Sequence, residues 1–265
     1  MKITSIASGS SGNSICVTNE KEGFLIDAGI SKKRIEEGLK VADIAPENLK
    51  GILITHEHSD HIKGLGVFLR KYKTPVYATG KTIKYILSSS SVGKVDTDLF
   101  FEIGPDKEFK LGEFGIRPFR VSHDAVDPVA YRFSENDKAA AVVTDLGYYD
   151  DYIVDNLKGL DAVLLESNHD VNMLQTGPYP YHLKQRIWGN KGHLSNETAG
   201  RLLDTIAGER LKNVILGHLS NENNYPELAF EAVRNEVNAG IGQYCANDFN
   251  LVVARRDMPS DTIDV

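Results

Sequence analysis

The sequence predicts an α+β protein, a four-layer αββα sandwich in which two mixed β-sheets are flanked by helices. Short apolar runs recur from the first residues onward, helix-period patterns separate many of them, and the same rhythm occurs in both halves of the chain. With 265 residues and 41% hydrophobic content, such a chain can bury a substantial core. The candidate ligand residues run from His56 to His218, which argues for one cooperative domain over residues 1–265.

Taken in order, Lys2–Ala7, Ser14–Thr18 and Phe24–Asp27 are separated by turns rich in Gly, Ser and Asn and read as an opening meander. Ser31 is suited to cap a helix that carries Ile35 and Leu39 one turn apart. A strand at Ile52–Thr55 and a helix at Ile62–Leu69 follow, then a strand at Pro75–Ala78 and a helix marked by Ile83, Ile86 and Leu87. Residues 88–98 are polar enough for a surface loop. Strands return between Phe100 and His123, and Val129–Phe133 with Ala139–Asp145 reads as a hairpin. In the second half Ala162–Glu166 and Val214–Leu216 read as strands, and Ala199–Ile206 and Pro226–Val237 as helices, Pro226 suiting a first turn. The tail from Arg255 is expected to fray towards its end.

The chemistry concentrates where apolar runs stop. Directly after Ile52-Leu53-Ile54 comes Thr55-His56-Glu57-His58-Ser59-Asp60-His61, three imidazoles and carboxylates that need partners for lone pairs or charge. Residues two apart on extended chain point the same way, so His56 and His58 can converge on one cation. Asp60 and His61, at the start of the next element, can face a second. Three further strand-like runs end in ligand types, at His123, Asp145 and His218. The phrase Gly192-His193-Leu194-Ser195-Asn196-Glu197 recurs as Gly217-His218-Leu219-Ser220-Asn221-Glu222, two similar turns presenting His into one cleft, or a coincidence.

The order H-x-H-x-D-H, His, Asp, His resembles that of the metallo-β-lactamase superfamily over nearly the whole chain. The opening Gly9–Ser14 with Leu25-Ile26-Asp27-Ala28-Gly29 is similar to its first hairpin. The phrases Leu165–Asp170, Gly192–Asn196 and Gly217–Ser220 resemble the YycJ/WalJ group of bacterial proteins, described as 5'-to-3' DNA exonucleases. The resemblance implies that His56, His58 and His123 hold one divalent ion, that Asp60, His61 and His218 hold another, and that Asp145 bridges them. It also implies hydrolysis through a metal-bridging hydroxide, with Asp60 part of the catalytic set, and it makes Asp27 a buttress of the ligand loop rather than a ligand. Nitrogen and carboxylate donors suit Zn, Mn or Fe.

A phosphodiester's departing oxygen needs a proton. His193, oriented by Glu166, can supply it, as the corresponding pair does in tRNase Z-like members. Ser195 and Asn196 then lie at a helix start able to receive phosphate oxygens, and Ser10, Asn13, His169 and Ser220 are further substrate-contact candidates. At His193 and His169 the alternative is a histidine satisfied by internal hydrogen bonds. Tyr179–Lys191 combines Tyr, Trp, Lys and Arg, types that stack on bases and grip phosphates, or that pin a loop to the core.

The leading expectation is therefore a phosphodiesterase acting on nucleic acid, DNA favoured. Its alternatives are a hydrolase of a small phosphodiester or cyclic phosphate, a thioester or lactam hydrolase, and a metal-stabilised binding protein. The net charge of −7 counts against a generic nucleic-acid coat, while leaving room for a small basic groove. Two cysteines without a Cys-x-x-Cys pair fit a reducing cytoplasm, and no signal-like or membrane-spanning run is visible. Oligomeric state stays open.

Overall fold

The computed structural model describes residues 1–265. In chain order the elements are β1 (Lys2–Ala7), β2 (Ser14–Thr18), β3 (Gly23–Ile26), α1 (Lys32–Val41), β4 (Leu49–Leu53), α2 (Ser59–Ile62), α3 (Leu65–Tyr72), β5 (Val76–Ala78) and α4 (Gly80–Ser88). Then come β6 (Phe100–Glu102), β7 (Phe109–Leu111), β8 (Phe114–Arg120), β9 (Val129–Glu135), β10 (Lys138–Val143), α5 (Asp151–Leu157) and β11 (Ala162–Glu166). The chain finishes with α6 (Val171–Thr176), α7 (Tyr181–Trp188), α8 (Asn196–Ile206), β12 (Asn213–Gly217), α9 (Pro226–Ala239), β13 (Asn250–Val253) and β14 (Ile263–Asp264).

The strands gather into two mixed sheets flanked by helices, the fold class read from the sequence. One has the order β14-β1-β2-β3-β4-β5-β6, antiparallel as far as β3 and parallel from β3 to β6. The other contains the antiparallel ribbon β7-β8-β9 and the parallel set β10-β11-β12-β13. Contacts divide the chain into two compact units. The first comprises Met1–Arg120, Ala125–Glu135 and Arg255–Asp264, and the second Val121–Asp124, Asn136–Ala254 and Val265.

In the first unit, Ile6, Cys16, Leu25, Ile52 and Ile54 share a core with Ile35 and Leu39 of α1 and Leu65, Phe68 and Leu69 of α3. Burial of each large apolar side chain stabilises by roughly 1.5–3 kcal/mol. Ser31 caps α1 as expected, its hydroxyl accepting the Arg34 N–H. The helix expected across Ile62–Leu69 is broken at Lys63-Gly64. Gly64 donates its N–H to the Ala28 carbonyl at 2.9 Å, and a Cβ there would lie 1.8 Å from the Ile30 carbonyl oxygen, so the chain turns where only glycine fits.

The tail is not frayed. Ile263 and Asp264 pair antiparallel with Ile3 and Lys2, Ile263 is buried, and the Thr262 and Thr4 hydroxyls meet at 2.8 Å. Pairing there covers the otherwise open edge of β1.

In the second unit the parallel registers place strand ends level. Val143 of β10 faces Leu165 of β11, and Glu166 of β11 faces Gly217 of β12, so Asp145, Glu166 and His218 emerge at one carboxyl edge. Ligand sites in parallel sheets form at that edge. Helices α8 and α9 approach closely at Gly200, where a Cβ would come within 2.5 Å of the Glu236 Cβ. The Tyr179–Lys191 stretch, read from the sequence without regular structure, forms α7.

Candidate metal centre

In the first unit, parallel pairing of β3 with β4 brings Asp27 beside Thr55, the residues that follow these two buried strands. Asp27 takes φ 62°, a left-handed conformation that Asp tolerates better than most side chains. Its Oδ1 accepts the Thr55 N–H and its Oδ2 the Thr55 hydroxyl, each at 2.8 Å, and Oδ2 lies 2.7 Å from His61 Nδ1. Burial pushes the Asp27 carboxyl above its ordinary pKa, against the opposing pull of His61 and the Thr55 hydrogen bonds. The carboxylate at Nδ1 fixes the His61 ring and turns Nε2 towards Asp60, whose Oδ2 lies 3.5 Å away.

His58 occupies the N-cap position of α2 without a side-chain capping bond, and Asp60 and His61 lie within this short helix, at the start of the next element as expected. Ring centroids of His56 and His58 are 4.6 Å apart, and those of His56 and His61 4.1 Å. Asn13 is wholly buried against this loop: its Oδ1 accepts the Gly9 N–H at 3.0 Å, and its Nδ2 lies 3.1 Å from His61 Nε2 and 3.5 Å from Asp60 Oδ2. Asn13 thus supports the loop, whereas Ser10 in the same turn is exposed. Glu57 holds the loop from its far side by accepting the Val126 N–H at 2.9 Å.

In the second unit, His123 follows β8 and Asp145 follows β10. Asp145 Oδ1 is 3.5 Å from His123 Nε2 and 3.3 Å from His218 Nε2. Asp145 and His218 take φ 59° and 56°, conformations that cost roughly 1–2 kcal/mol for side chains of this kind. The His123 ring is fixed through Nδ1, 3.0 Å from the Gly192 carbonyl oxygen. His218 is held through its backbone carbonyl, which accepts from Asn168 Nδ2 at 2.9 Å.

Glu166 is fully buried at the end of β11, with Oε1 2.8 Å from His193 Nδ1. Its Oε2 accepts the N–H groups of Leu146 at 2.7 Å and Leu194 at 3.1 Å. Asp145, Glu166, His193 and His218 offer ligand-type atoms within 4.8 Å of one another. The two echoed turns do bring their histidines together, stacked at 5.4 Å and 16°. Buried imidazole and carboxylate donors, several fixed from behind and none a thiolate, fit divalent transition metals.

Most of the substrate-contact candidates spend their polar atoms internally. Ser195 caps α8 by accepting the Thr198 N–H. Asn196 is buried, accepts from the Ser167 hydroxyl at 2.6 Å and exchanges hydrogen bonds with Asn224. Ser220 accepts the Asn223 N–H at 3.2 Å. His169 is 2% exposed, and burial lowers its pKa to about 4, so it is neutral at pH 7.

Residues 23–218 match the model of the beta-lactamase superfamily domain. The chain belongs to the metallo-β-lactamase superfamily. Among curated members, exodeoxyribonuclease WalJ of Streptococcus pneumoniae serotype 2 is 45% identical over 91% of each chain. Exodeoxyribonuclease YycJ of Bacillus anthracis is 42% identical over 90% of each. The zinc-bound PqqB structure from Methylobacterium extorquens shares the metallo-β-lactamase fold with a TM-score of 0.70, at 16% identity over the whole of both chains. Thr55, which contacts Asp27, His56 and His61, and Asn168 and Asn224, which brace the turns of the second unit, went unread in the sequence. A small polar residue directly before a ligand histidine was the available sign for Thr55.

Proposed function

We propose that this metallo-β-lactamase-superfamily protein is a dinuclear-metal phosphodiesterase, a 5'-to-3' exonuclease acting on DNA. The observation that carries the reading is the buried Glu166 fixed by two backbone N–H groups and holding His193 at 2.8 Å. The relatives named exodeoxyribonucleases support the same conclusion. We assign His56, His58 and His123 to one ion, Asp60, His61 and His218 to the other, and Asp145 to both, following the family's motif order within one cooperative domain. When bound, two divalent ions, here Zn, Mn or Fe, lower the pKa of water towards roughly 7 and neutralise phosphate charge.

The protein's own groups then divide the remaining work. Glu166 anchors His193 through Nδ1, and we assign its Nε2 to donate a proton to the departing sugar oxygen. Ser10, exposed at the Gly9–Ser14 turn, is the hydroxyl we assign to phosphate contact. Asp27, Asn13 and Thr55 keep the ligand loop rigid, which limits reorganisation during reaction. No helix is long and apolar enough to cross a membrane. Two unpaired cysteines agree with a cytoplasmic setting.

Replacing His193 by Ala in metal-loaded protein tests the assignment. Phosphodiester cleavage should fall by about 10²–10⁴-fold, the usual contribution of a general acid. Hydrolysis of an activated ester, whose leaving group needs no proton, should barely change, and the metal content should be retained. Equal losses on both substrates would remove His193 from the role.

A further inference from the structure

We propose that the exposed face of α7 is a stacking platform for single-stranded DNA, gripping the strand beside the reacting phosphodiester. The inference rests on the phosphodiesterase reading and adds a site to it. Helix α7 buries none of its residues. Tyr181 is 67% and Trp188 42% exposed, although large aromatic side chains ordinarily contribute to a core. They stand two helical turns apart on one face, with ring centroids 6.2 Å apart at 76°. Lys184 and Gln185 occupy the intervening positions of that face.

Charge identifies the occupant. The chain has 37 acidic residues and a net charge of −7, yet none of those acids lies between Val171 and Asn196, a stretch that carries Lys184, Arg186 and Lys191. Arg186 grips Asp124 through Nε at 2.5 Å and Nη2 at 3.2 Å, which fastens the helix to the residue after His123. Exposed aromatic rings in an acid-free stretch of an acidic protein suit a polyanion whose every unit offers a flat face. A purely apolar partner would not use the cations, and a basic one would not be drawn to them.

The platform is joined firmly to the proposed proton donor. The His193 N–H donates to the Ile187 carbonyl in the last turn of α7 at 2.9 Å. The Ser122 hydroxyl donates to the Asn190 carbonyl at 2.7 Å, and His123 Nδ1 lies 3.0 Å from the Gly192 carbonyl oxygen. A strand stacked on α7 is thereby held at a fixed offset from His193.

Trp188 is the chain's only tryptophan, so its emission reports on this helix alone. Stopped-flow mixing of metal-loaded protein with single-stranded oligodeoxythymidylate should quench that emission saturably before turnover, and salt should weaken the effect. Y181A and W188A should each raise KM for a long oligodeoxynucleotide by roughly 10-fold, within the range stacking on one base supplies. The rise should be several-fold smaller for a dinucleotide, and Tyr181→Phe and Trp188→Phe should restore most of the loss. No quench, an unchanged KM, or equal rises on short and long substrates overturns the platform while leaving the nuclease reading intact. A parent protein that neither binds nor cuts any oligonucleotide overturns both.

Discussion

Asp27 shows how much of the centre depends on single side chains that would touch no metal. Its carboxylate meets Thr55 and His61 Nδ1 at 2.7–2.8 Å from a left-handed backbone position. Asn tolerates that conformation, so Asp27→Asn should fold. Losing the carboxylate behind His61 should nevertheless weaken metal binding by about 10–100-fold. Competition with a chromogenic chelator measures this, and unaltered affinity would show that Asp27 merely fills space. His169 makes the second residue-scale prediction. Its folded pKa of about 4 lies below the unfolded value of 6.5, so between these limits the unfolded chain binds the extra proton. Stability from this group is complete above pH 6.5 and is lost as pH falls towards 4, by up to about 3 kcal/mol. Denaturant titrations across that window should give a flatter pH slope for His169→Gln than for the parent. Parallel slopes would contradict the buried neutral ring. The two thiols should also differ: burial pushes the Cys16 thiol far above its ordinary pKa, whereas Cys245 is exposed. A thiol reagent should label one cysteine per native chain and both on unfolding.

At the scale of elements, the ligand loop is placed by close backbone approach. A Cβ on Gly29 would fall 1.6 Å from the Asp60 carbonyl oxygen and 2.8 Å from the His61 nitrogen. Gly29→Ala should therefore push α2 away from β3, destabilising the fold by roughly 1–3 kcal/mol and lowering metal affinity together. Thermal melts with and without metal would register it, and an unchanged midpoint would mean that the loop has slack. The positions of His123, Asp145 and His218 just after strands were legible because each closes a short apolar run. The helix break at Gly64 was not, because it arises from contacts with Ala28 and Ile30, which the local pattern does not contain. The short helices α5 and α6 were passed over although Asp150 and Asp170 cap them, since neither carries a long apolar period. For β14, the decisive partner lies at the opposite end of the chain. The internal hydrogen bonds of the substrate-contact candidates Asn13 and Asn196 were not legible, because polar residues near a site look alike until their partners are known.

For the molecule as a whole, the proposed function requires an acidic chain to concentrate its attraction for a polyanion locally. The divalent ions that the centre would hold and the proposed platform on α7 would meet that need, while the remaining acidic surface would limit nonspecific adhesion. Membership of the superfamily is carried by residues 23–218 and by relatives matched over about nine-tenths of the chain, whereas the proposed nuclease action depends on a few groups, above all the Glu166–His193 pair. The most direct measurement follows duplex DNA labelled at one 5' end, incubated with protein loaded with Mn or Zn and sampled over time. Expected are early release of the label as a mononucleotide, arrest by a chelator, recovery on adding metal back, and no digestion by Asp145→Asn. Inertness towards every labelled strand, or digestion that persists after the chelator has removed all metal, would contradict the proposed function.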